Sequence, residues 1–451
     1  MKLYDDIRRF FLVNVLHHGL GVLSTFSDKN LIRTTYWMEK ITKRDHYKRA
    51  IRSIRNLFEQ NHPSFSVFKK VLRETNTHHR KRLVKAFFIN QLLIGSNRRK
   101  AFSESPGGFY PPGLMVISPT MRCNLNCYGC YAGSYDKGND LPIEVIDRVL
   151  NEGKELGMFF AVISGGEPFI RDDVVKLFER HKDVAFQVYT HGGLLDEKMI
   201  GRIIKAGNIL PAISLEGFEE DTDRRRGKGH YKKIMNAMRL LKENGVLFGF
   251  SSTQTRENAD IIASDAFVDH MVDMGCTIGW YFTYVPIGRE PNLNLMPTPE
   301  QRDSLRRWVR HVRNTKPILV ADFWNDGPVV GGCIAAGRKY LHINANGDIE
   351  PCVFCHFAEH NIKDTPLKVA LNSKVFRFIR QTQEKNPNPL RPCMIIDHPE
   401  VFREAASMDG VYFTHDGADN VVTDISNFLD HYAADYAHFS EKAWREEYDH
   451  E

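Results

Sequence analysis

From about residue 114 the chain alternates short apolar, β-rich runs with segments of helical periodicity. The runs fall at 114–118, 159–164, 185–189, 209–215, 247–252 and 277–285, and helical patterns lie between them at 142–156, 172–182, 197–206, 231–244 and 261–274. Six strand-then-helix units in series predict a parallel sheet, open or barrel-like, because parallel neighbours need a crossover between them. Chemistry in such sheets gathers where the strands end. Cys123, Gly165, Thr190, Ser214, Ser251 and Pro286 fall at those ends.

Upstream the pattern is helical throughout. Ile51, Ile54, Leu57 and Phe58, then Phe65, Phe68, Val71 and Leu72, recur at helix spacing with Lys and Arg between them. A stretch containing Pro106, Gly107, Gly108, Pro111, Pro112 and Gly113 reads as a linker. Beyond about 321 the chain becomes irregular and rich in Cys and Gly, and from 421 a helical, acidic tail follows. The expected units are a basic helical region (1–105), the barrel (106–320), a cysteine-bearing module (321–400) and a helical tail (401–451).

At 451 residues, 42% hydrophobic and 26% charged, the chain can bury a large core, which excludes a collagen-like, wholly disordered or disulfide-dense secreted protein. No apolar run reaches the ~18 residues of a spanning helix, and the start lacks a signal-peptide pattern, so a cytoplasmic location is expected. The net charge of +5 hides an asymmetry: residues 1–100 hold 22 Lys and Arg against 7 Asp and Glu, and the rest hold 39 against 49. A basic head on an acidic body either meets something anionic or is a solvated helical face. Phe10, Phe11, Leu12, Val15, Leu16 and Leu20 could lie in a membrane interface with the basic residues on anionic headgroups. The linker suggests that the head can be removed without cutting a barrel strand. His17 with His18, and His78 with His79, are adjacent pairs that do not share a helix face, so they read as surface or interfacial residues.

Eight cysteines in such a chain read as metal or catalytic residues. Cys123, Cys127 and Cys130 follow the first strand with spacing x3 then x2. Three thiolates in one loop can wrap one face of an iron–sulfur cube and leave one iron open, as a catalytic centre requires. A second set, Cys333, Cys352, Cys355 and Cys393, supplies the four ligands of a closed cluster or of a structural zinc. The run 341–352 reads as a hairpin whose Asn346-Gly347 turn delivers Cys352. Cys276 reads as a buried core thiol.

The first cluster resembles the signature of the radical SAM family, and the second resembles its SPASM/twitch extension. Further similarity lies in Gly165-Gly166-Glu167-Pro168 after the second strand, in Thr190-His191-Gly192 after the third, and in Ser214-Leu215-Glu216 with Arg224-Arg225-Arg226 after the fourth. Ser251 and Pro286 end the fifth and sixth strands. The resemblance implies an α/β fold: a partial (β/α)6 TIM-type barrel with an N-terminal helical region and a small C-terminal α+β iron–sulfur module. It implies a catalytic [4Fe–4S] cluster on Cys123, Cys127 and Cys130. S-adenosylmethionine would be held by Gly165, Gly166, Glu167, Pro168, Thr190, Ser214, Glu216, Arg226, Ser251 and Pro286. A second, auxiliary [4Fe–4S] cluster would sit on Cys333, Cys352, Cys355 and Cys393.

The implied reaction is reductive cleavage of S-adenosylmethionine to a 5′-deoxyadenosyl radical, which abstracts hydrogen from a small molecule, lipid or peptide. A donor such as flavodoxin or ferredoxin would supply the electron. The sequence departs from the family in placing Gly129, between Tyr128 and Tyr131, where an aromatic residue usually precedes the third Cys. His191 replaces the family's Asn and reads as a polar loop residue rather than an acid or base. Two other readings stay open: an RNA-modifying radical SAM enzyme that uses the basic head, and a zinc-stapled binding protein without catalysis. Asp322 and Asp326 are candidate proton acceptors at the rim, or simply part of a polar loop.

Overall fold

The computed structural model describes residues 22–42 and 45–448. The six expected strands form: β1 (Met115–Ile117), β2 (Phe160–Ile163), β3 (Ala185–Thr190), β4 (Ile209–Ser214), β5 (Gly249–Gln254) and β6 (Ile278–Thr283). They pair in parallel in sequence order, each joined to the next through helix. Along β2 the pleat sends Phe160 and Val162 toward an internal cavity, while Ala161 and Ile163 join the hydrophobic core. Trp280 and Phe282 of β6 alternate with buried Tyr281 in the same way.

The expected six are extended at both edges. A seventh, β7 (Leu319–Asp322), adds parallel to β6, and β8 (His342–Ile343) adds parallel to β1 before turning back into β9 (Ile349–Glu350). The order is β7-β6-β5-β4-β3-β2-β1-β8-β9, an open barrel with no pairing between its two edges. β8 and β9 are the hairpin expected over 341–352, but its pairing with β1 joins segments far apart in the chain and leaves no local pattern, and β7 lies in the stretch beyond 318 that lacks a regular strand–helix repeat. The β8–β9 hairpin does turn at Asn346-Gly347, where Gly347 takes φ +93°.

Beyond the hairpin, the loop carrying Cys393 is fixed from the barrel side. Arg302, on the helix Pro299–Thr315, forks onto Asp397 at 2.6 and 3.0 Å, with both side chains fully buried. Asp397 in turn accepts the Cys393 amide at 2.9 Å. Tyr436, from the tail helix Ser426–Glu447, lays its ring 3.7 Å from the Arg302 guanidinium. Removing one partner of such a pair leaves the other charge buried and uncompensated, which costs about 3–5 kcal/mol.

The described part of the head is helical: Asp28–Ile41, Asp45–Glu59, Pro63–Arg73, then Thr77–Leu83 running on through a π-wound stretch, Val84–Gly95, into Ser96–Ser103. Its last part is bonded to the barrel and not merely tethered through the linker. The segment from 76 to 103 lies beneath the strand N-termini, at the end of the barrel away from the cysteine loop. Arg98 donates to Lys154 O, Arg99 to Gly157 O and Asn90 to Asp183 O, while His78 reaches Lys205 O. The Asn76 amide donates to Gly245 O. His79 is fully buried in this interface, and burial drives its pKa down to about 3. Gly207 is required here because a Cβ would come within 2.9 Å of the His78 ring.

Several of the acceptor carbonyls close barrel helices such as Ile143–Glu155 and Glu197–Ala206, whose C-terminal ends carry the negative pole of the helix dipole. Part of the head's positive charge therefore has a partner within the chain. The apolar segment 10–20 lies outside the described residues. Among the described residues, no helix is long and apolar enough to cross a membrane, and no observation supports attachment to a membrane surface.

Gln91 bridges head and barrel with its whole amide: Nε2 donates to Gly113 O at 2.5 Å and Oε1 accepts the Phe159 amide at 2.7 Å. Gln91→Ala would strand two buried backbone groups, so urea denaturation should show a loss of about 2–4 kcal/mol. Deleting residues 1–100 should yield insoluble protein, which a solubility assay of the truncated chain checks.

Candidate functional site

The β1 and β2 loops meet backbone to backbone. The Ser164 amide donates to Ile117 O, Gly166 to Thr120 O at 2.9 Å, and Glu167 to Arg122 O at 2.8 Å. A Cβ on Gly165 would fall 2.4 Å from Thr120 O, and one on Gly166 would fall 2.1 Å from Arg122 O. The glycine pair is thus demanded first by contact with the cysteine loop. Arg171, buried, donates to Pro119 O and Leu141 O and closes the base of that loop.

Glu167 and Pro168 do not line the cavity. The Glu167 carboxylate is fully buried and turned sideways: it accepts from the Thr190 hydroxyl at 2.9 and 3.0 Å, the His191 amide at 2.9 Å and the Phe169 amide at 3.1 Å. Burial outweighs these donors and lifts its pKa to about 7. His191 is buried beside it. Its Nδ1 accepts from the Gly193 amide, which leaves Nε2–H to donate to Asn124 Oδ1 at 2.8 Å, so the ring is neutral. Burial and the neighbouring His230 push its pKa down to about 3. Glu167 and His191 together tie the β2, β3 and cysteine loops into one unit.

The arginine triplet divides by role. Arg224 is exposed and pairs with Asp221. Arg225 bonds Glu216 at 2.8 Å and donates to the carbonyls of Tyr128 and Gly129 in the cysteine loop. Arg226 bonds the other Glu216 oxygen, but its buried Nε has no partner. Glu216 is consumed by the two guanidiniums, which hold its carboxyl below the usual range against burial. It stands behind the cavity wall, as does Pro286.

Cys123, Cys127, Cys130, Gly165, Gly166, Thr190, Ser214, Arg226 and Ser251 open onto one cavity. Gly129 is explained here, since its φ is +61° and a Cβ would come within 2.7 Å of the Tyr284 ring, so the β6 loop supplies the aromatic cover. Tyr131 bonds Ser164 at 2.6 Å and receives the Gly165 amide. The cavity's deeper wall is apolar, with Phe160, Val162, Trp280, Phe282, Phe323 and Phe354, and no Asp or Glu side chain lines it. Asp322 accepts from Trp324, Asn325 and its side-chain amide, and Asp326 pairs with Arg313, so both belong to a polar loop around buried Trp324. The sequence did not single out Arg289, which lies in a loop without a motif, or the aromatic wall, because bulky strand residues read as core.

All eight thiols are free, and Cys276 is buried in the core. Burial pushes Cys123 up to about 11. In the second set Cys333 and Cys355 are raised by burial and by the neighbouring thiols, and Cys393 is raised by burial and by the Asp397 carboxylate to about 12. Cys352 alone moves the other way, because Cys355 and the Tyr340 hydroxyl, 2.8 Å from its sulfur, donate to it. Among the described residues no three His, Cys, Asp or Glu side chains converge on a single-ion site. A cube spreads its ligand sulfurs over separate irons and does not require that. Phe354, between Cys352 and Cys355, packs edge-on against Tyr131 at 5.6 Å, so the two cysteine loops touch.

A parallel open barrel with thiols, a glycine cradle and a free guanidinium N–H at its strand ends defines a cofactor-dependent barrel enzyme. Residues 117–258 match the radical SAM superfamily and residues 333–394 match an iron–sulfur cluster-binding domain, the SPASM domain. The chain thus carries a radical SAM domain followed by a SPASM domain. It is 26% identical over 300 residues to the PqqA peptide cyclase of Gluconobacter oxydans, covering 63% of this chain and 83% of that one. It is 27% identical over 298 residues to the mycofactocin maturase MftC of Mycolicibacterium smegmatis, covering 61% and 74%. The match to Fe-coproporphyrin III synthase of Methanosarcina barkeri, at 30% identity, covers 32% of this chain and only 38% of that protein. Among solved structures the fold is similar to anSMEcpe with bound AdoMet and a Cp18Cys peptide (TM-score 0.51, 15% identity, covering 70% and 99%). It is also similar to Streptococcus suis SuiB bound to precursor peptide SuiA (TM-score 0.50, 16% identity, covering 68% and 81%). Radical SAM domains bind a [4Fe–4S] cluster and S-adenosylmethionine, and SPASM domains bind auxiliary iron–sulfur clusters. Neither the RNA-modifying nor the zinc-stapled reading gains support from these matches.

Because the folded state binds the Glu167 proton more tightly than the unfolded chain does, this group's contribution is largest below pH 4.5 and is lost as pH rises to 7. The apoprotein should therefore lose about 3 kcal/mol from this carboxyl between those values. Glu167→Gln should flatten that part of the stability–pH profile, read by denaturant titration from pH 4.5 to 8.

Proposed function

We propose that this chain is a radical SAM enzyme acting on a peptide or small molecule, with Cys123, Cys127 and Cys130 holding the catalytic [4Fe–4S] cluster. The observation that carries this reading is the convergence of those three thiols, the Gly165–Gly166 backbone and the unpartnered Nε of Arg226 on one cavity free of carboxylates. When bound, the cluster and S-adenosylmethionine supply one-electron C–S cleavage and hydrogen-atom abstraction.

The protein's part is position and exclusion of water. Arg226 keeps an N–H for the methionine carboxylate, and Arg225 fixes the cysteine loop through two carbonyls. Ser214 and Ser251 face the cavity beside them. Phe282, Phe323 and Phe354 favour an apolar or aromatic group at the reacting end of the substrate. The peptide-acting relatives and the peptide-bound structures of like fold favour a peptide. Cys333, Cys352, Cys355 and Cys393 hold an auxiliary [4Fe–4S] cluster, and a flavodoxin or ferredoxin supplies the electron.

Two outcomes test this. Changing Cys123, Cys127 and Cys130 to Ala should abolish 5′-deoxyadenosine formation from S-adenosylmethionine under dithionite, and retained formation would refute the assignment. The same triple variant should still hold about four irons per chain on the second set. Deuterium transfer into 5′-deoxyadenosine from candidate peptides labelled at aromatic residues then identifies the substrate.

A further inference from the structure

The SPASM module shows the cavity a narrow face: Ile334, Tyr340, Val353 and Phe354. Each of these except Tyr340 sits next to a cysteine in sequence, and Tyr340 reaches one through space. Its hydroxyl lies 2.8 Å from Cys352 Sγ and donates to it, as it must when that sulfur is a thiolate with no hydrogen of its own. The residue is 2% exposed, and its ring packs against Phe323 of the cavity wall at 6.1 Å. Its backbone is locked as well: the Tyr340 amide donates to Ile334 O, and its carbonyl accepts from Gly337. At Cys393 the donor is a backbone amide, that of Ile395. Among the described residues Tyr340 is the one side-chain hydroxyl that both donates to a cysteine of this set and lines the cavity.

A one-electron reduction adds negative charge that resides largely on the cluster and ligand sulfurs. A donor aimed at a ligand sulfur stabilises the reduced state more than the oxidised one, and in a buried site water does not compensate for its loss. We propose that Tyr340 is a positioning residue that raises the reduction potential of the auxiliary cluster through Cys352, and that it is where the cavity wall and that cluster's shell become one structure. The proposal rests on the reading that Cys352 ligates an auxiliary cluster.

The test uses the full-length Cys123→Ala/Cys127→Ala/Cys130→Ala variant, reconstituted anaerobically, so that only the second cluster contributes. Its midpoint is measured by electron paramagnetic resonance across a redox titration, with and without Tyr340→Phe. The expected result is unchanged iron content and a midpoint moved to more negative potential. The reduction equilibrium constant should fall by about tenfold, which for one electron is 59 mV. An unmoved or more positive midpoint with iron retained overturns the proposal. Loss of the cluster in the Tyr340→Phe variant alone also overturns it, since the hydroxyl would then serve assembly rather than potential. Absence of iron from the parent triple variant would instead refute the auxiliary-cluster reading itself.

Discussion

Eight strands that run the same way leave every strand C-terminus at one mouth of the sheet and the C-termini of the covering helices at the other. At the first mouth, loops of similar origin meet, so residues separated by more than a hundred positions become neighbours. Cys123, Gly165, His191 and Arg226 are brought together in this way. At the second mouth, the ends of several helix dipoles collect and leave carbonyls in need of donors. The basic head answers that need with Arg98, Arg99, Asn90 and His78. One constraint of direction thus places the thiols at one end and the head at the other.

The site end is held by buried charge rather than by apolar contact. Glu167 accepts from three residues on two loops, and Glu216 accepts from two arginines, one of which also grips the cysteine loop. The two carboxylates differ in outcome because they differ in partners. Glu216 is bonded to two full cations and stays ionised, whereas Glu167 accepts only from neutral donors and meets the Arg226 charge without bonding it, so burial wins and its pKa climbs to about 7. Buried networks of this kind are costly when incomplete, which makes the loop geometry specific.

What the sequence displayed and what it hid follow from the same physics. Strands of four to six residues with helices between them, the cysteine spacings and the Asn346-Gly347 turn were legible because each is a local pattern. β7 was not, standing outside the regular strand–helix repeat, and neither was the pairing of β8 with β1, because partners that far apart in the chain leave no local pattern. The head's docking was invisible because Gln91 and Arg99 are polar residues whose partners are backbone carbonyls far along the chain. Glu167 and Glu216 were expected to hold S-adenosylmethionine, yet neither lines the cavity, because which way a carboxylate turns depends on neighbours that no spacing reveals. The aromatic wall escaped for the opposite reason, since Phe282 and Trp280 are what a core strand would carry anyway.

The charge of the cavity completes the picture. The body of the chain beyond residue 100 is acidic, with 49 Asp and Glu against 39 Lys and Arg, yet Lys137, Arg225, Arg226 and Arg289 line the cavity and no carboxylate does. Two acids of its loops are withdrawn, Glu216 neutralised by its arginines and Glu167 half protonated near neutral pH. A positive cavity in a negative body is not what random placement yields, and in a site of low dielectric its attraction for anions is strong. Three thiolates holding a [4Fe–4S] cluster, together with the carboxylate of a bound S-adenosylmethionine, would form an anionic load. Removing acids from the wall and adding guanidiniums at its rim is how a protein can hold that load without repelling it.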